Sequence, residues 1–86
     1  MNERTGAIEA CAQVLLAAAR EAGFWISSDS RVGLSDAARL LGLSPGHLRN
    51  LVAEGKGPPT YRLGGAGHRV SVHLLDLAEW RESRRI

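Results

Sequence analysis

Apolar positions recur at helical spacing along three parts of the chain and alternate along two short ones. In the first part, from about Asn2 to Ala22, the residues Ile8, Cys11, Ala12, Leu15, Ala18, Ala19 and Ala22 form one stripe, widened by Val14 and Leu16. Asn2 or Thr5 can cap this helix, and Gly23 is a natural stop. A stripe so broad and so rich in alanine requires a partner surface. The chain that follows and the same helix of a second copy are both open as that partner, because alanine lets helices approach closely. Phe24, Trp25 and Ile26 then read as anchors, and Ser27 to Ser30 as a short polar connection of turn-forming residues.

The stretch from Leu34 to Ala53 reads as two short helices joined by a tight turn. Ser35 is expected to cap the first, since its hydroxyl can accept a bond from an orphan backbone N–H, and Asp36 places negative charge at the positive end of the helix dipole. Ala37, Ala38 and Leu41 share a face, with Leu34 ahead of them. Gly42 ends the helix in the left-handed conformation that glycine adopts without steric cost, and Leu43 plugs the turn. Ser44 caps the second helix and Pro45 follows at a position where a missing N–H is harmless. Leu48, Leu51 and Val52 supply its buried face, and small Ala38 lets the two helices cross closely. Two capped helices around a glycine turn form a helix-turn-helix pattern.

Gly55, Gly57, Pro58 and Pro59 break any helix. Thr60 to Leu63 and His68 to Val72 alternate and flank the turn Gly64 to Gly67, which predicts a β-hairpin placed as a wing. A last helix runs from about Leu74 to Arg84, apolar through Leu74, Leu77, Ala78 and Trp80, with Arg81, Arg84 and Arg85 in its last turns. The expected fold is therefore mainly α with a small β-hairpin. A winged helix-turn-helix over residues 34–86 is preceded by an extra amphipathic N-terminal helix and its connecting loop over residues 1–33.

Composition adds less than distribution. The 86 residues suffice for one small domain with a modest core. The formal charge is +2, but from Leu34 onward eight bases face five acids, and before it three bases face four acids. All three histidines also lie in the second part, so positive charge gathers around the helix-turn-helix, which suits a polyanionic partner. Taken alone, the charge favours ordinary surface solvation over a polyanionic partner. Cys11, the only cysteine, allows neither an intramolecular disulfide nor a cysteine zinc site. The apolar run from Ala10 to Ala19 is too short to span a membrane, and Glu3 and Glu9 make the N-terminus a poor signal peptide. A cytoplasmic protein with no membrane partner is expected.

The candidate chemistry follows from the second helix of the pair. Its outward face carries Gly46, Arg49, Asn50 and Ala53, with His47 at the flank. Arg49 can present a bidentate fork to guanine and Asn50 a bidentate pair to adenine, while Gly46 allows close approach to base edges. Ser35 and Ser44, with the first N–H groups of the helix that Ser44 caps, suit phosphates. Lys56, Arg62, His68 and Arg69 sit on or beside the wing, where Arg and His gain from a narrow minor groove. The plain counterpart is a solvated helix face and, for Arg62, an edge-strand charge that blocks unwanted pairing. Ser71, His73 and Asp76 lie on alternating strand positions and a helix start, which orients no triad. His47, His68 and His73 show no ligand spacing, and the Gly64–Gly67 turn lacks the ending of a phosphate loop. No enzyme, cofactor or metal is expected.

With these residues in view, LSDAARLLGLSPGHLRNLVAEGKGPPTYRLGG followed by HRVSVHLLDLAEW resembles the small winged helix-turn-helix proteins of the excisionase and AlpA type, themselves similar to the MerR DNA-binding domain. The resemblance covers about Leu34 to Arg84, and GKGPP, YRLGG and DLAEW are its most telling parts. It implies a cytoplasmic, nucleoid-associated binder of double-stranded DNA, bacterial or phage-encoded, that directs integrase-mediated excision or regulates transcription. An integrase is then a further partner. By position, Arg49 and Asn50 match the base-facing region, Arg62 and Arg69 the wing bases, and Trp80 the core tryptophan. Two departures stand out. Ala66 and Gly67 occupy a wing tip that is often basic, which argues against deep minor-groove insertion. The helix before Gly23 has no counterpart in the minimal domain. It is expected to be an oligomerisation device, joining a homodimer or cooperative oligomer through Ile8, Cys11, Ala12, Leu15 and Ala19, or a docking surface for another protein. The alternative class is a protein-interaction adaptor or inhibitor on a winged-helix scaffold, supported by the apolar first helix and the low overall charge.

Overall fold

Seven elements follow one another in the computed structural model, which describes residues 3–62 and 70–84. They are α1 (Glu3–Ala22), β1 (Arg31–Gly33), α2 (Leu34–Leu40), α3 (Pro45–Ala53), β2 (Tyr61–Arg62), β3 (Val70–His73) and α4 (Leu74–Ser83). The fold is mainly helical, with the N-terminal helix ahead of the helix-turn-helix, as the apolar pattern predicts.

Alanine decides how α1 packs. Ala12, Leu15 and Ala19 are buried, and Ile8, Cys11 and Leu16 pack partly buried against the same core. Their partner is α4 of the same chain, whose Leu74, Leu77 and Ala78 are buried in turn. This corrects the expectation of an oligomer contact. Of the two partners open for the stripe, the chain itself takes Ala12, Leu15 and Ala19, because the small side chains let α4 come close enough to cover them. The stripe is also narrower than expected. Ala18 and Ala22 are exposed, and Val14 is 63% exposed on the opposite side. Phe24 and Ile26 pack on the core as anchors, whereas Trp25 is 41% exposed.

The turn between α2 and α3 forms as expected. Gly42 takes φ of +75°, its N–H donates to the Arg39 carbonyl at 3.1 Å, and the Leu43 N–H donates to the Ala38 carbonyl at 2.9 Å. These paired bonds satisfy the last carbonyls of a helix and require a left-handed residue between them. They turn Leu43 back onto the core. The same pairing closes α1 at Gly23 and α3 at Gly55. Ala37, Ala38 and Leu48 are fully buried where α2 meets α3.

Two expectations at the start of α2 and in the sheet need correction. Gly33, not Ser35, stands at the N-cap, and no side chain caps the helix. The reason is a strand missed in the sequence. β1 runs straight into α2 at Leu34, which leaves Ser35 inside the first turn. The expected two-stranded hairpin is a three-stranded antiparallel sheet in the order β1–β3–β2. Val32 pairs with Val72, Arg31 with His73 and Gly33 with Ser71, and on the other side Tyr61 pairs with Ser71 and Arg62 with Val70. β3 also reaches one residue further than the alternation suggested, to His73. The expected wing turn, Gly64 to Gly67, lies outside the described residues, as do Leu63, His68 and Arg69.

The segment after α3 is tightly fitted. A Cβ on Gly57 would stand 2.7 Å from Val52 Cγ2 and 3.0 Å from the Val52 nitrogen, and the following Pro58 is buried. At Gly46, by contrast, an added Cβ meets nothing within 4 Å. Gly57→Ala should therefore cost about 1–3 kcal/mol through overpacking. Gly46→Ala should gain up to about 1 kcal/mol by lowering the entropy of the unfolded chain. Urea unfolding midpoints of the two variants should fall on opposite sides of the wild type. A Gly57→Ala midpoint at or above wild type would contradict the close approach.

Candidate nucleic-acid interface

Helix α3 is set by its two ends and one buried face. The Ser44 hydroxyl oxygen accepts the His47 N–H at 3.1 Å, and Pro45 occupies the first helical position. Leu48 is fully buried and Leu51 packs half-buried against the core, which fixes the rotation of the helix. Gly46, His47, Arg49, Asn50 and Ala53 are consequently exposed, at the spacing of one helical face. Among the described residues, the Arg49 guanidinium has no ion-pair partner. A face of this kind presents a fork of donors from Arg49 and a donor–acceptor pair from Asn50 beside a bare backbone at Gly46.

The structure brings Ser35 to this face. Gly33, Leu34, Ser35, Asp36, Arg49 and Val70 line one shallow groove between the start of α2, the middle of α3 and the start of β3. The acid in that groove, Asp36, is paired with Arg39 at 3.3 Å. Lys56 and Arg62 are both exposed, Lys56 just beyond α3 and Arg62 on the outer strand β2. Of the expected wing residues, His68 and Arg69 lie outside the described residues.

Four further contacts were not anticipated. The Trp80 indole N–H donates to the Lys56 carbonyl at 2.9 Å. The Tyr61 hydroxyl donates to the Asp76 carboxylate at 3.3 Å, and the Arg31 guanidinium lies over the Tyr61 ring, 4.9 Å from its centroid. His73 caps α4, its Nδ1 accepting the Leu75 N–H at 3.1 Å. The general signal available in sequence was that Trp and Tyr carry a polar tip that usually finds a partner. Which partner depends on contacts far apart in the chain.

The residues weighed for catalysis are engaged elsewhere. Ser71 is fully buried and donates to the Tyr61 carbonyl at 3.2 Å, His73 caps a helix, and Asp76 holds Tyr61. Among the described residues, no group of three His, Cys, Asp or Glu side chains could hold a metal ion. Among the same residues, no helix is long and apolar enough to cross a membrane.

Comparison with known proteins places the helix-turn-helix pattern on firmer ground. A family model described as a helix-turn-helix domain matches residues 32–85, from β1 through α4 and well over half of the chain. Helix α1 lies outside the matched residues. No curated protein and no solved structure matches the chain.

Electrostatics is most marked at the turn that leads into β1. The Ser27 hydroxyl donates to Asp29 and also accepts the Arg31 N–H at 2.9 Å. Arg31 Nε stands 2.8 Å from the Asp29 carboxylate without the alignment of a hydrogen bond, so this contact is an ion pair by proximity. The Asp29 carboxyl is held below its ordinary pKa, first by the Ser27 hydroxyl and further by the Arg31 charge, with desolvation opposing both. A carboxyl lowered in the folded state adds stability above its ordinary pKa, and that stability is lost as pH falls through the lowered value. Ser27→Ala should therefore move the Asp29 pKa upward toward its ordinary value, so that the carboxyl adds less stability and the acid loss is complete at a higher pH. Carboxyl-carbon NMR titration of Asp29 checks this, and an unchanged midpoint would remove Ser27 as the main cause.

Proposed function

The chain belongs to the helix-turn-helix domain family, and on that premise we propose that it binds double-stranded DNA in a sequence-specific manner. The observation that carries the proposal is the exposed face of α3, where Arg49 and Asn50 flank the open backbone of Gly46 and the helix is locked in rotation by Leu48. In this reading α3 enters the major groove, Arg49 takes a guanine, Asn50 an adenine, and Gly46 and His47 allow or add contacts at the N-terminal end. Phosphates are held by Ser35, Ser44, Lys56, Arg62, His68 and Arg69, which set the register in which the bases are read.

The narrower role is that of an excisionase acting beside an integrase, or of a small transcription regulator, in a bacterial or phage setting. Both roles use the same contacts. Two copies pair, in this reading, through the outward face of α1, where Val14 is 63% exposed between exposed Ala7, Ala10, Ala17 and Ala18. The buried stripe is not available for that purpose, and small residues let two such faces meet closely. Cys11 borders the same surface.

If about four side chains neutralise phosphates, log affinity should fall with log salt at a slope near −3.6. A salt-independent affinity would overturn the reading. Arg49→Ala should cost about 1–3 kcal/mol and relax the preference at one base position. Selection from a random duplex pool before and after the change measures both, and an equal loss on all sequences would make Arg49 a phosphate contact. Val14→Glu should keep the helical circular-dichroism spectrum of the wild type and convert a dimer to a monomer in sedimentation velocity, with thermal unfolding that no longer depends on protein concentration. A wild-type protein that sediments as a monomer on its own and on DNA would remove the pairing.

A further inference from the structure

We propose that Trp80 is a positioning residue for Lys56, holding that lysine so that its ammonium meets a DNA phosphate beside α3. The inference rests on the DNA-binding reading and deepens it. It starts from the main chain. Beyond Gly55 the Lys56 N–H donates to the Leu51 carbonyl at 2.8 Å, and the Lys56 carbonyl accepts the Trp80 indole N–H at 2.9 Å. Both main-chain polar groups of Lys56 are thus tied inward, one to the end of α3 and the other to α4. The side chain is the part left facing out, and it is exposed.

The main chain that follows it is also held in place. Gly57 passes so close to Val52 that a Cβ there would stand 2.7 Å from Val52 Cγ2. Pro58 is buried and fixes its own φ. Trp80 is itself held. The indole packs partly buried against the core, and the Arg84 guanidinium covers its ring at 4.9 Å. The contact therefore spans 24 residues of sequence and joins α4, which carries no base-reading residue, to the cation that follows the reading helix.

The chemistry rewards such a hold. Lysine is a compact point charge on a long flexible stem, and it loses much rotamer freedom when it settles on one phosphate. Fixing the root of the stem leaves fewer positions to search. Trp80 touches no DNA in this account and acts through Lys56.

A merely structural tryptophan would lower stability without changing how many phosphates are neutralised, so the salt slope separates the two cases. The full-length protein is titrated with a mixed-sequence duplex at several salt concentrations, using wild type, Lys56→Ala, Trp80→Phe and the double variant. Each single change should reduce the slope by about 0.9 and weaken binding severalfold at low salt. The double variant should lose nothing more, because both changes remove one contact. Should Trp80→Phe fail to fold by circular dichroism, 3-benzothienylalanine at position 80 keeps the ring shape and removes the N–H. A steep wild-type slope left unchanged by the position-80 variant, or losses that add in the double variant, overturns the proposal alone. A flat wild-type slope overturns the DNA-binding reading and the role of Lys56 together.

Discussion

Four helices meet in this chain because alanine stands where they touch. Ala19 from α1, Ala37 and Ala38 from α2, and Ala78 from α4 are completely buried, and Ala12 is nearly so. Each removes little apolar surface from water, at about 25 cal/mol per Å². Their value is geometric, since they bring backbones close enough for Leu15, Leu48 and Leu77 to be enclosed by neighbours on every side. A core built in this way has little room to give. A larger residue at an alanine separates two helices, and a smaller one at a leucine leaves a cavity that close-packed neighbours cannot fill.

The sheet ties that core to β2. β3 is the central strand, and its Val72 pairs with Val32 of β1 on one side while Ser71 and Val70 face β2 on the other. The buried Ser71 hydroxyl donates to the Tyr61 carbonyl, so even the buried polar residue of the central strand has a partner. Through β1 the sheet is also linked to the turn at Ser27 to Ser30, where the Ser30 carbonyl accepts the Leu74 N–H at 2.9 Å. Helix α3, the three-stranded sheet and the long first helix are therefore one packed unit and not a string of modules.

Much of this was legible in the sequence because the signals are local. Gly23, Gly42, Ser44 and Pro45 act on bonds within a few residues of themselves, and each end of the helix-turn-helix forms at or near its expected place. The exposed face of α3 followed from the spacing of Leu48, Leu51 and Val52 in the same way. What failed was non-local. Three residues, Arg31 to Gly33, are too few to show alternation, so β1 exists only through its pairing with β3, and Ser35 lost its capping role to the strand. The broad stripe of α1 could not tell its own chain from a second copy, because alanine suits both. The bonds from Trp80 to Lys56 and from Tyr61 to Asp76 join residues far apart in the chain, and no periodicity announces them.

The two strand-to-helix junctions carry a consequence for how the chain can vary in length. β1 becomes α2 at Leu34 and β3 becomes α4 at Leu74, with no loop at either place. One residue inserted into β1 or β3 would turn Val32 or Val72 from the core to the surface, since side chains alternate along a strand. It would also rotate the helix that follows by about 100°, the angle of one residue in a helix of 3.6 residues per turn. Two errors would arise from one insertion, and no nearby segment could absorb either. Natural or designed insertions should therefore be rejected at these seams, where the strands act as fixed-length rulers between the helices.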